Sequence, residues 1–115
     1  MNLSEYILNE IKELTSSSVI KDAQKLFKGF PITHIPIVDK GSLIGCIAES
    51  DIQMLENRTA LISEYSHLID LFFAKEDVTI LELITLFATY DCNMMPVVSK
   101  EREYLGYFEL SDILD

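Results

Sequence analysis

The chain writes one phrase twice. "GCIAESDIQ" occupies Gly45–Gln53 and "GYFELSDIL" occupies Gly106–Leu114, each opening on glycine and closing on Ser-Asp-Ile and one further residue. A repeat constrains a fold more than any single motif, because each copy must form the same supersecondary unit. With Pro36 set on Pro96, 60 positions later, "SVIKDAQKLFKGFPITHIPIVDK" lies over "VTILELITLFATYDCNMMPVVSK" without a gap. Ile20 meets Ile80, Leu26 meets Leu86, Phe27 meets Phe87 and Val38 meets Val98. One additional residue in "SKEREYLG" relative to "DKGSLIG" moves the register to 61, after which Gly45/Gly106, Ser50/Ser111, Asp51/Asp112 and Ile52/Ile113 coincide.

Each copy reads as helix, strand, turn, strand, helix. Ile20, Ala23 and Phe27, and likewise Ile80, Leu83 and Phe87, recur at helical spacing on one face. Ser17 and Asp77 stand just before those faces as candidate N-caps. "HIPIVD" and "MMPVVS" are short apolar runs in which proline suits a strand start. "DKGS" and "SKERE" turn into second strands over Leu43–Ala48 and Tyr104–Glu109, and a helix starts near each Asp. A short strand is expected around Leu14–Ser16. At the N-terminus, Ser4 as cap with Ile7, Leu8, Ile11 and Leu14 along one side predicts an amphipathic helix over residues 1–14. Leu61–Phe73 fits a helix whose end could be the second copy's first strand. The resulting division is 1–14 for that helix, 15–60 for the first repeat and 61–115 for the second.

Composition narrows the partners. Nineteen acidic against nine basic side chains give a net charge of −10, which excludes the basic footprint that nucleic acid or an anionic membrane requires. Cys46 and Cys92 are isolated thiols without metal-ligand spacing, as expected of buried small residues in a reduced, cytoplasmic protein. With four glycines and two histidines, no nucleophile–base pair, metal cluster or glycine-rich phosphate loop can be assembled, so the expectation is a non-enzyme with no metal.

The two stretches "IPIVDKGSLIGCIAESDI" and "MPVVSKEREYLGYFELSDI" resemble the CBS domain, named for cystathionine β-synthase, which occurs as tandem pairs. The resemblance covers about Leu14 to Asp115. It implies an α/β (α+β) fold of two βαββα-type repeats related by a pseudo-twofold, here preceded by the N-terminal helix, with two clefts between the repeats. Many such pairs bind AMP, ADP, ATP, NAD or S-adenosylmethionine as regulatory ligands. Carried over by position, Asp51 would hold a ribose, with Thr33, His34 and Ile35 lining the adenine mostly through backbone groups and Thr15 and Ser16 as further lining. Asp112 with Asn93, Met94 and Met95 would form the second set.

The family's Ser/Thr three residues before each Asp is Ala48 here in the first copy and Glu109 in the second. Ala48 removes a donor but leaves the helix-start amides for an anion; Glu109 sets a carboxylate where a phosphate would sit. The first cleft is therefore the better nucleotide site. Both Asp residues also have a ligand-free explanation, since an acid in a first helical turn is stabilised by about 0.3–1 kcal/mol, and Ser50 with Gln53 could form a capping box. Asp51 is assigned to ribose and Asp112 to capping. His34 is as readily a hydrogen-bonded structural residue, and Met94 and Met95 as readily core. The chain ends three residues after Asp112, so the second closing helix is expected to be truncated, with the N-terminal helix or a partner covering the surface it would have buried. The functional expectation is a ligand-sensing regulatory module that forms a homodimer and acts on a C-terminal continuation or a separate protein. The alternative is a ligand-free dimerisation scaffold.

Overall fold

Alternating and continuous apolar runs build two hairpins that are near-copies of each other. The computed structural model describes residues 2–115. The first repeat contains α1 (Ile20–Gly29), β1 (His34–Asp39), β2 (Ser42–Ala48) and the single turn α2 (Glu49–Ile52). The second contains β3 (Ala74–Lys75), α3 (Ile80–Tyr90), β4 (Met94–Val98), β5 (Tyr104–Glu109) and α4 (Leu110–Leu114). β1 and β2 pair antiparallel, as do β4 and β5, and each pair slips register at the same place, between Ile37 and Val38 and between Val97 and Val98. β3 lies parallel to β4, with Ala74 opposite Val97; 60 residues earlier, Leu14 makes the same parallel bridge to Ile37. The short strand expected near Leu14 is thus a single bridge.

The N-terminal segment departs from expectation. The helix expected over 1–14 begins outside the described residues, and over residues 2–14 there is in its place one 3-10 turn, Leu3–Tyr6, followed by chain that crosses the second repeat. Leu8 exchanges both backbone hydrogen bonds with Tyr107, at 2.8 and 2.9 Å, and the Ile11 amide donates to the Tyr107 hydroxyl at 3.3 Å. The inter-repeat segment does the same to the first repeat: Asp70 exchanges both bonds with Cys46, which lies 61 positions before Tyr107. Paired backbone in a long-range bridge outweighs the marginal helicity of a short segment.

These crossings explain the repeated glycines. Gly45 has φ +155° and Gly106 φ +137°; a Cβ on Gly45 would sit 2.6 Å from the Ile69 side chain and 2.7 Å from the Asp70 carbonyl oxygen. On Gly106 it would overlap the Leu8 carbonyl oxygen. Only glycine admits so close a backbone.

The repeats share their interiors. Met94 and Tyr107 pack into the core of the first repeat with Ile20, Phe27, Ile35 and Ile47, while Cys46 and Leu3 pack into that of the second with Leu83, Phe87 and Met95. The hairpin tips are also joined, since the Tyr104 amide donates to the Gly41 carbonyl at 2.8 Å. The caps fall two residues later than expected. At α3 the hydroxyl of Thr79, not Asp77, accepts the Glu82 amide at 3.2 Å. At α1 neither Ser17 nor any other side chain serves as N-cap acceptor; the carbonyls of Ala60 and Arg58 receive the Ile20 and Lys21 amides. The second closing helix is not short relative to the first: α4 has five residues and α2 four.

Candidate functional site

Thr33 and Asn93, expected in different clefts, meet on the axis between the repeats. The Thr33 amide donates to Asn93 Oδ1 at 2.9 Å, and the Asn93 amide donates to Thr33 Oγ1 at 3.1 Å. Having accepted one hydrogen, the Thr33 hydroxyl can give its own to His34 Nδ1, 2.8 Å away. With the hydroxyl as donor, Nε2 carries the ring's N–H and the imidazole is neutral. Burial lowers the His34 pKa further, against the opposing pull of Asp70, Asp51 and Asp91. The Thr33–Asn93 pair separates two concavities that repeat the sequence offset.

The first cleft, about 320 Å³, is lined by Thr33, His34, Ala48, Glu49 and Ser50 from its own repeat and by Tyr90 and Asp91 from the other. Tyr90 stacks on Phe72 with ring centroids 4.5 Å apart and an angle of 12°, and His34 meets Phe72 edge-on at 5.3 Å. Tyr90 remains 41% exposed, so this wall offers an aromatic surface to the cleft. The second cleft, about 360 Å³, receives Phe30 and Pro31 at the positions equivalent to Tyr90 and Asp91. Ile11, Ile32, Asn93, Glu109, Leu110, Ser111 and Leu114 complete it, so its lining is largely apolar. Burial, Asp112 and Glu10 together push the Glu109 carboxyl above its ordinary range.

Asp51 and Asp112 are half-buried on the first turns of α2 and α4, beside the clefts and outside their immediate lining. Asp51 is near enough to act on His34, and Asp112 on Glu109. The proposed Ser50–Gln53 capping box does not form, since α2 has no side-chain cap. Ile35, Met94 and Met95 are fully enclosed in the two cores; their side chains line neither cleft, and only their backbone remains for a ligand. Thr15 and Ser16 are elsewhere. Because Leu14 pairs with Ile37, Ser16 reaches the far end of β1, where its amide donates to Asp39 at 3.0 Å and its hydroxyl to the same carboxylate. Those bonds lower the Asp39 pKa.

The helix-start amides are also less available than expected. The Glu49 amide donates to the Thr33 carbonyl and the Leu110 amide to the Asn93 carbonyl, each at 2.9 Å. Helices of one turn carry little dipole. Tyr90, Asp91, Phe72 and Glu49 were missed by sequence reasoning, although applying the 60-residue offset to the ends of α1 and α3 would have marked Tyr90. Both thiols are buried, and burial raises Cys46 well above the ordinary thiol range and Cys92 to about 11, which makes them poor nucleophiles. Among the described residues no group of three His, Cys, Asp or Glu side chains is arranged to hold a metal, and no helix is long and apolar enough to cross a membrane.

The model of the CBS domain family matches twice, over residues 4–56 and 62–115. An inosine-5'-monophosphate dehydrogenase of Methanocaldococcus jannaschii is 25% identical over 111 residues, 96% of this chain and 22% of the enzyme's length. A CBS domain pair/ACT domain protein of Thermotoga maritima superposes with a TM-score of 0.84 at 19% identity, covering 99% of this chain and 93% of that one. CBSX2, in a crystal structure of its complex with AMP, superposes at 0.77 with 15% identity, covering 98% and 93%.

Proposed function

The chain belongs to the CBS domain family, and on that premise we propose that it is a non-catalytic regulatory module that senses an adenosine compound in its first cleft. The observation that carries this reading is the aromatic face of Tyr90 set in the same cleft as Thr33 and His34, with Asp51 close by. A base would stack on Tyr90, and Asp51 would accept from the ribose hydroxyls. The AMP complex of CBSX2 supports the ligand class.

The walls supply Glu49 and Asp91 but no Lys or Arg, and Asp51 and Asp70 stand nearby. Ala48 offers no hydroxyl, and the α2 amide is engaged. Such a site disfavours added negative charge. Adenosine and S-adenosylmethionine are therefore expected to bind better than AMP, and AMP better than ADP, ATP or NAD. Binding would shift the population of relative repeat orientations, which a fused or separate protein reads.

We further assign a cytoplasmic setting and a homodimer, with a second copy on the outer face of α3. There Leu81 is 75% and Ile84 36% exposed. Light scattering at micromolar concentration should give twice the 13.1 kDa chain mass; a monomer would remove this part.

The test of the ligand is a thermal-shift panel of adenosine, S-adenosylmethionine, AMP, ADP, ATP and NAD, with and without Mg²⁺. A ligand at 100 times its Kd adds about 2.7 kcal/mol. The expected shift is abolished by Asp51→Ala and kept by Asp112→Ala. The second reading, a ligand-free scaffold, is favoured by the mutual satisfaction of Thr33 and Asn93, which closes the axis without a ligand. A flat panel would establish it.

A further inference from the structure

A third concavity of about 380 Å³ lies in the first repeat, between α1 and α2. That volume is in the range that holds a small ligand. Its floor is the buried pair Phe27 and Ile52; Gln24, Lys28, Gln53 and Arg58 form the rim, with Glu49 on one side. Arg58 is placed by backbone. Its carbonyl accepts the Lys21 amide at 2.9 Å, and its Nε donates to Gln24 Oε1 at 2.8 Å. The guanidinium is thereby anchored at one edge, with its terminal nitrogens left to meet an oxyanion.

The charge distribution singles this pocket out. Neither cleft is lined by Lys or Arg, yet four of the nine cations in a chain of net charge −10, Lys21, Lys25, Lys28 and Arg58, gather along one side of α1. Nor is it a by-product of the repeat. Sixty residues on, Lys21, Gln24, Lys25 and Lys28 become Leu81, Ile84, Thr85 and Ala88, and Gln53 becomes Leu114 one register later.

We propose that this pocket binds a small organic anion, a carboxylate or phosphate monoester carried on an apolar body. The body would lie on Phe27 and Ile52, and the oxyanion would face Lys28 and Arg58. α2 separates this pocket from the first cleft, and Glu49 lines both. The same turn carries Asp51, so occupancy of the pocket would bias the cleft, and the cleft the pocket, by equal factors. That coupling rests on the first cleft holding a nucleoside; the anion site does not.

The experiment titrates the isotope-labelled chain with phenyl phosphate, benzoate, phenol and inorganic phosphate, following backbone amides and Arg58 Nε by NMR. Phenyl phosphate or benzoate should shift Gln24, Lys28, Gln53 and Arg58 saturably below ~1 mM; the tighter of the two identifies the oxyanion. Lys28→Gln, which breaks no hydrogen bond in the structure, should weaken that binding at least threefold, and Lys28→Gln with Arg58→Gln at least tenfold. Equal response to phenol, equal response to inorganic phosphate, or unchanged affinity in the double variant would overturn the site. Failure of adenosine to move Thr33 and His34 would overturn the first-cleft reading and leave this one standing.

Discussion

The two repeats share a backbone plan and differ in what they show to the outside. α1 presents Lys21, Gln24, Lys25 and Lys28 where α3 presents Leu81, Ile84, Thr85 and Ala88. The first cleft is polar with one aromatic wall, and the second is largely apolar with a carboxylate at its mouth. Inside, the correspondence is close: the bulges, parallel bridges, glycine crossings and the Thr33–Asn93 pair all recur or match at the repeat offset. The difference teaches that the interior fixed the repeat while the surfaces were left to specialise, because packing constrains only what it encloses.

The likeness of the interiors is broken most forcefully at the crossings. Gly106→Ala and Gly45→Ala should each lose about 2–4 kcal/mol, from steric overlap and positive φ together, with Gly106 the worse because its Cβ would press more deeply into the Leu8 carbonyl oxygen than that of Gly45 into the Asp70 carbonyl oxygen. Urea unfolding measures this, and a loss below about 0.5 kcal/mol at either would show that the crossing segments yield. Next comes the axis. Thr33→Val keeps shape but leaves the Asn93 amide and His34 Nδ1 without their partner, so a loss of about 1–2 kcal/mol is expected.

The clefts should respond oppositely to pH. His34 has a folded pKa below its unfolded value of 6.5 because burial disfavours the cation. The unfolded chain therefore takes up a proton first, and stability falls as pH drops below 6.5 through the folded pKa; His34→Gln should remove that slope. Glu109 has a folded pKa above 4.5, so its ionised form destabilises the fold near neutral pH. Glu109→Gln should melt higher at pH 7, with the gain vanishing as pH approaches 4.5. Parallel melts of the two variants against the parent check both signs. The smallest effect on folding is expected from giving α3 the outer face of α1. Leu81→Lys with Ile84→Gln should change stability by no more than about 0.5 kcal/mol while shifting light scattering from dimer to monomer.

Much of this was legible in the chain. β1 was read residue for residue and β5 likewise, because both are short apolar runs bounded by turn residues. The apolar faces of α1 and α3 followed from spacing. The N-terminal segment was not legible. Ile7, Leu8, Ile11 and Leu14 satisfy helical spacing, but the same apolar residues serve extended chain that passes from one core to the other: Ile7 packs against the second core, and Leu8, Ile11 and Leu14 against the first. Of the residues expected to line the first cleft, Thr33, His34 and Ala48 share one concavity, whereas Ser16 lies at the far end of β1, since which strand end it reaches depends on the register of one bridge.

From the residues alone came the two copies, most of their elements and the acidic character of the chain, because periodicity and charge belong to each segment by itself. The tertiary structure decided the rest. It chose the N-terminal chain to cross β5 and the inter-repeat chain to cross β2, turned Thr33 and Asn93 toward each other, and walled the first cleft with Tyr90 from the opposite repeat. Each of those is a pairing between residues tens of positions apart. No local preference encodes such a contact; it is selected only when both cores close together and every buried backbone group must find a partner.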